Sequence, residues 1–134
     1  MRISTKTRYG LRFLLELAGE GDRPASPRRM TTQQIAKNQG ISEKYLEAIA
    51  ARLKKGGLVC AAKGQNGGYW LARPIGEIAV GDVVRIMETE QFLHCSGNFE
   101  CCPRRDSCAI YKFLEEMETA MRTRADEMKL DKVK

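Results

Sequence analysis

Four of the chain's five cysteines fall in one short stretch, as Cys95, Cys101, Cys102 and Cys108 in the run HCSGNFECCPRRDSC. Thiolates are soft ligands and strong nucleophiles. A set this dense therefore points to a ligand set or a redox trap rather than to ordinary packing. Iron in a cluster takes thiolate ligands, and a loop of about a dozen residues can wrap one cluster edge. Zinc accepts four cysteines in a tetrahedral array, but adjacent Cys101 and Cys102 reach one small ion only with strain, so zinc ranks below a cluster. Thiol chemistry without a metal is the third option. Arg104 and Arg105 favour the thiolate form in all three cases. The single histidine, His94, stands directly before Cys95 and is a further candidate ligand, although a polar loop residue explains it as well. Cys60, remote from the others, reads as a small, half-buried apolar side chain.

The compartment bears on that chemistry. The opening MRISTKTRYG is polar, and the apolar run Leu11 to Ala18 contains Arg12 and Glu16 and is too short to span a bilayer. The expectation is a cytoplasmic protein with no membrane partner. Structural disulfides are rare there, so the cysteines point to metal binding or redox sensing. A chain of 134 residues supports a single core. The net charge of +6 is unevenly placed: residues 1–74 hold 14 Lys and Arg against 5 Asp and Glu, whereas residues 75–134 hold 9 against 12. The N-terminal half is the part a polyanion would bind. No catalytic triad, paired-carboxylate site or phosphate loop is present in the sequence, so no enzyme is expected.

The elements that must position these groups are marked by caps and periodicity. Ser4 caps a first helix running to about Ala18, with Tyr9, Phe13, Leu14 and Leu17 inward. GEGDRPASPRR reads as a loop. Thr31 and Gln34 have capping-box spacing and open a short helix that Gly40 stops. Ser42 caps the next helix, where Tyr45 or Leu46, Ile49 and Leu53 form an apolar stripe, and Gly56-Gly57 ends it. Two helices around a tight turn make a helix-turn-helix. The runs Leu58–Ala62 and Tyr69–Leu71, joined by residues 63–68 with an Asn-Gly pair, make a β-hairpin and hence a wing. Pro74 breaks the chain, a helix follows over 80–88, and after the cysteine loop a long helix begins near Asp106. Its stripe is Ile110, Phe113, Leu114, Met117, Ala120 and Met121, with Glu115, Glu116, Glu118, Arg122 and Arg124 on the other face. That stripe suits a dimer interface, and the charged tail after Met128 is expected to fray. The fold class is mainly α with a small β-hairpin wing: a winged helix-turn-helix over 1–74, a connecting helix over 75–94, a cysteine-rich loop over 95–108 and a dimerisation helix over 106–130.

A recognition helix puts a few side chains at base edges while cations grip phosphates. Lys44, Glu47 and Ala48 are the candidates for the major groove, Lys44 donating to guanine and Glu47 accepting from cytosine. Tyr45 is expected to pack its ring inward and offer its hydroxyl to a phosphate. Arg2, Lys6, Arg8, Arg52 and Lys55 are candidates for phosphate contacts. Lys63, Gly64, Gln65 and Asn66 form a wing tip suited to a minor groove. A solvated helix face and a glycine turn with no ligand are the plainer alternatives.

The phrases RISTKTRYGL, ISEKYLEAI, RLKKGGLV and GQNGGYWLAR together resemble the IscR/NsrR/CymR-type (Rrf-type) winged-helix transcription regulators over roughly the first ninety residues. The resemblance implies a homodimer whose long last helices cross, bound to double-stranded DNA at a two-fold symmetric operator. Cluster-bearing relatives hold an iron–sulphur cluster, 2Fe-2S or 4Fe-4S, with three cysteines in the loop before that helix and a fourth ligand of another type. Here Cys95, Cys101 and Cys108 match that pattern, and so do Cys95, Cys102 and Cys108. Tyr111 stands where IscR-like members carry a histidine ligand, and Arg8 stands in the region where NsrR-like members supply an acid. The fourth ligand is left to the extra cysteine, His94, Glu100, Asp106 or none. The implied function is a regulator, in the repressor sense, of iron–sulphur, nitric-oxide or redox status. The alternative is a CymR-like repressor governed by a regulatory protein partner or by thiol oxidation, without a cluster.

Overall fold

The computed structural model describes residues 3–19, 27–88 and 102–133. Side-chain caps set the order of its N-terminal half. The Ser4 hydroxyl accepts the Thr7 N–H and starts α1, Thr5–Ala18. The Thr31 hydroxyl and the Gln34 side chain bond reciprocally at the start of α2, Thr32–Gln39, which ends at a left-handed Gly40. Ser42 then caps α3, Glu43–Lys55, by accepting the Tyr45 N–H. Each cap falls on the residue expected from its type and spacing.

The three helices meet on one apolar cluster. Phe13, Leu14 and Leu17 of α1, Ile35 of α2, and Leu46, Ile49 and Leu53 of α3 are all almost completely buried. Strands β1, Val59–Ala62, and β2, Gly68–Leu71, pair antiparallel in the register Val59 to Leu71 through Ala62 to Gly68. The hairpin signal holds, but Asn66-Gly67 is not a two-residue loop. The turn runs from Gly64 to Gly67, whose N–H donates to the Gly64 carbonyl, and Gln65-Asn66 sits at its apex. The expected loop before α2 also contributes to the wing. Met30 and Tyr69 exchange two backbone hydrogen bonds, of 3.0 and 2.7 Å, so the segment before α2 forms a third edge of the hairpin. Gly68 permits this, because a Cβ there would lie 2.8 Å from the Met30 carbonyl oxygen and its φ is +125°.

A short 3-10 turn at Ile75–Glu77 leads to α4, Val80–Met87, and α5 spans Ala109–Glu127. The last helix therefore starts three residues later than Asp106, after a turn in which Arg105 N–H donates to the Cys102 carbonyl. Two further expectations are corrected. Glu118 does not belong to the solvent face of α5: it is buried and accepts a 2.7 Å hydrogen bond from Arg122. The tail is tied down rather than frayed. Leu130 is completely buried, its N–H donates to the Ile78 carbonyl, and a second 3-10 turn forms at Leu130–Lys132. Where α4 and α5 meet, Gly81 leaves the space that a Cβ would take from the Asp126 carboxylate. Arg85 bridges Asp82 and Asp126 across the same contact.

Candidate nucleic-acid interface and thiol loop

The α3 stripe decides which side chains stay exposed. Burying Leu46, Ile49, Ala50 and Leu53 leaves Lys44, Glu47, Ala48 and Ala51 exposed on the opposite face. Tyr45 lies at the edge of that face, half-buried, with its ring edge-on to Tyr9 at 5.7 Å. Its ring therefore packs inward, as expected. Lys6 and Arg8 are exposed on the first turn of α1, and Lys55 is exposed at the end of α3. Arg52 is half-buried and shares a surface hollow with Lys55, Gly56 and Ile86. Lys63, Gly64, Gln65 and Asn66 are all exposed at the tip of the wing. Arg2 lies outside the described residues.

A part-buried polar knot links α1 to the end of α4. Glu88, the residue that terminates α4, accepts the Ser4 N–H at 2.9 Å and the hydroxyl hydrogen of Thr7, a side chain with no exposure at all. Burial works to raise the Glu88 pKa, but the Thr7 and Ser4 hydrogen bonds and the Arg52 charge outweigh it, so the carboxyl sits below its ordinary range. Neither Thr7 nor Glu88 was singled out from sequence. A threonine and a glutamate 81 positions apart carry no pattern that pairs them.

Of the thiol set, Cys102 and Cys108 are described, while His94, Cys95, Glu100 and Cys101 lie outside the described residues. Both described thiols are half-buried and neither is in a disulfide. Cys108 is the N-cap residue of α5, although its side chain makes no capping hydrogen bond. Among the described residues, no three His, Cys, Asp or Glu side chains converge on one point. Tyr111 is buried, with the Arg105 guanidinium over its ring and its hydroxyl donating to Glu115. Asp106 is exposed in the turn between the two thiols. In residue type the donor set fits a thiolate-held cluster: Cys102 and Cys108 are half-buried soft donors, with Arg104 and Arg105 exposed in the turn between them.

Three helices, a tight turn and a two-stranded wing define a winged-helix DNA-binding regulator. The sequence model of the family "Rrf2: Iron-dependent Transcriptional regulator" matches residues 3–134. Protein rrf2 of Nitratidesulfovibrio vulgaris is 38% identical over 122 residues, covering 90% of this chain and 79% of that protein. Among solved structures, CymR, the global cysteine regulator of B. subtilis, superposes with a TM-score of 0.69 at 28% identity, covering 99% of this chain and 95% of the other. T. potens IscR gives 0.69 at 30% identity, covering 98% and 84%. The chain belongs to the Rrf2 family and is a transcriptional regulator, not an enzyme. No described helix is long and apolar enough to cross a membrane.

Proposed function

We propose that this regulator is a cytoplasmic homodimer, in the repressor sense, that reports iron–sulphur status, nitric oxide or redox state through a cluster held by the 95–108 loop. The observation that carries the reading is the position of Cys108. It is at once a member of the dense thiol set and the cap of α5, whose outward stripe carries exposed Ile110, Phe113 and Met117. Apolar side chains that large, in a row on one helix, are suited to a partner surface, and a second copy of α5 supplies the matching one. The family description and the likeness to an IscR support the cluster.

The ligands would be Cys95 and Cys108 with Cys101 or Cys102, and His94 as a further candidate. A bound cluster would supply a centre that reacts with oxygen, nitric oxide or reductant. The chain's own part is mechanical. Tightening or releasing the loop would act on the first turn of α5 through Cys108 and on the end of α4, where Glu88 bonds Ser4 and Thr7 of α1. Half-sites lie about 34 Å apart per helical turn, so a small change in the angle between the two halves takes one α3 out of register. On DNA, Lys44 and Glu47 read base edges, Ala48 allows close approach, and Arg2, Lys6, Arg8, Tyr45, Arg52 and Lys55 grip phosphates.

A second reading follows from the likeness to CymR: a repressor set by thiol oxidation or a protein partner, without a cluster. Iron, sulphide and zinc content with an absorption spectrum, on protein purified without oxygen, separates the two. Iron with matching sulphide and visible charge-transfer bands is the expected result. Colourless, metal-free protein that still binds a two-fold symmetric duplex would overturn the cluster reading.

A further inference from the structure

The wing is braced by a side chain from outside the hairpin. Arg29, just before α2, lays its guanidinium over the Trp70 ring at 4.3 Å and donates a 2.9 Å hydrogen bond to the Asn66 carbonyl at the apex of the turn. The next residue, Met30, makes the two backbone bonds to Tyr69. Tyr69 turns inward, edge-on to Phe13 at 5.6 Å, so alternation along β2 places Trp70 on the other face. One face of the wing is thus fixed to the core by Tyr69, and the other, with the tip, is held by Arg29 through its stack on Trp70 and its hydrogen bond to Asn66.

From this arrangement we infer that Arg29 is a positioning residue for DNA binding. It sets the height and tilt of Lys63, Gln65 and Asn66 through Trp70 and the Asn66 carbonyl, rather than by gripping a phosphate. The inference rests on the reading of the wing tip as a DNA contact. A flat guanidinium stacks and forks in a way an ammonium does not, so the role requires Arg and not merely a cation. A wing held in its bound pose before contact costs less ordering on binding.

Trp70 is the chain's single tryptophan, so its fluorescence reads the stack directly in the free protein. The probe is a duplex selected from a random pool by the full-length wild-type chain. Arg29→Ala should raise acrylamide quenching of Trp70 emission and weaken binding by roughly tenfold, as expected for loss of a stacked cation and its hydrogen bond. Trp70→Ala should weaken binding to a similar extent, and the double variant should be little worse than either single one. The salt slope should stay unchanged, and Arg29→Lys should restore little. Additive losses, a slope reduced by about one, or full rescue by lysine would make Arg29 a phosphate contact and overturn the inference. Unchanged binding by Arg29→Ala would overturn it too. The paired change Lys63→Ala with Gln65→Ala keeps the two failures apart. If that pair leaves binding intact, the wing reading fails. If it weakens binding while Arg29→Ala does not, the positioning role alone fails.

Discussion

Thr7 and Glu88 hydrogen-bond to each other across 81 positions of sequence, joining the first turn of α1 to the residue that ends α4. The Thr7 hydroxyl is fully buried, and the same Glu88 oxygen also accepts the Ser4 N–H. The knot lies in the first turn of α1, beside the exposed Lys6 and Arg8. Thr7→Val keeps the shape but removes the donor, leaving a carboxylate short of a partner, and should cost about 1–3 kcal/mol in denaturant unfolding. Glu88 has a lowered folded pKa, so its contribution is complete above the ordinary glutamate range and is lost as pH falls through the folded value. Unfolding of wild type and Glu88→Gln should therefore converge as the pH drops below that range. A difference that stays constant down to the acid limit would show that the carboxylate charge is not what matters.

The exposed stripe on α5 yields a second expectation. Ile110 is 61% exposed, Phe113 56% and Met117 37%, while Tyr111 and Glu118 face the body of the same chain. Phe113→Glu with Met117→Glu should give a folded monomer by light scattering, with helical content kept. Two linked readers bind far more tightly than one, so affinity for a two-fold symmetric duplex should fall by about two orders of magnitude. A variant that remains dimeric would assign the interface to another surface.

On α1 and α3 the exposed residues separate by role. Lys44→Ala and Glu47→Gln should each cost about 1–3 kcal/mol on the selected duplex and relax preference at a single base pair. Lys6→Ala, Arg8→Ala and Lys55→Ala should weaken all duplexes alike and lower the salt slope by about one each. Binding assays on the selected duplex and on single-base variants at several salt concentrations distinguish these outcomes. A uniform loss on Glu47→Gln across all sequences would remove it from the base-reading set.

The helices before the wing were legible because their signals are local. Ser4, Thr31 and Ser42 cap within three residues of themselves, and the stripe through Leu46, Ile49 and Leu53 repeats at the helical period. The wing was legible in its strands but not in its third edge. Arg29 and Met30 look like loop until Tyr69 and Trp70, forty positions on, are brought beside them. Glu118 misled for the same reason: helical spacing gives the faces of α5 but not which face Arg122 and the body of the chain claim. Leu130 gave only a weak signal, one apolar residue in a charged tail, yet its backbone pairs with Ile78 and its side chain completes the core.

The adjacent pair Cys101 and Cys102 leaves two registers for a three-cysteine set, and substitution separates them. Cys108 caps α5 and belongs to either register, whereas Cys102 lies at the start of the turn whose Arg105 N–H bonds back to its carbonyl. Cys108→Ala should abolish cluster incorporation under anaerobic reconstitution while the far-ultraviolet signal stays intact, since a half-buried thiol at a helix end contributes little packing. Of Cys101→Ala and Cys102→Ala, one should lose iron and sulphide together and the other should retain both. Equal retention by both would mean that either thiol can serve in place of the other. Retention of a full complement by Cys108→Ala would remove the thiol loop from cluster binding and leave thiol oxidation or a protein partner to set DNA affinity.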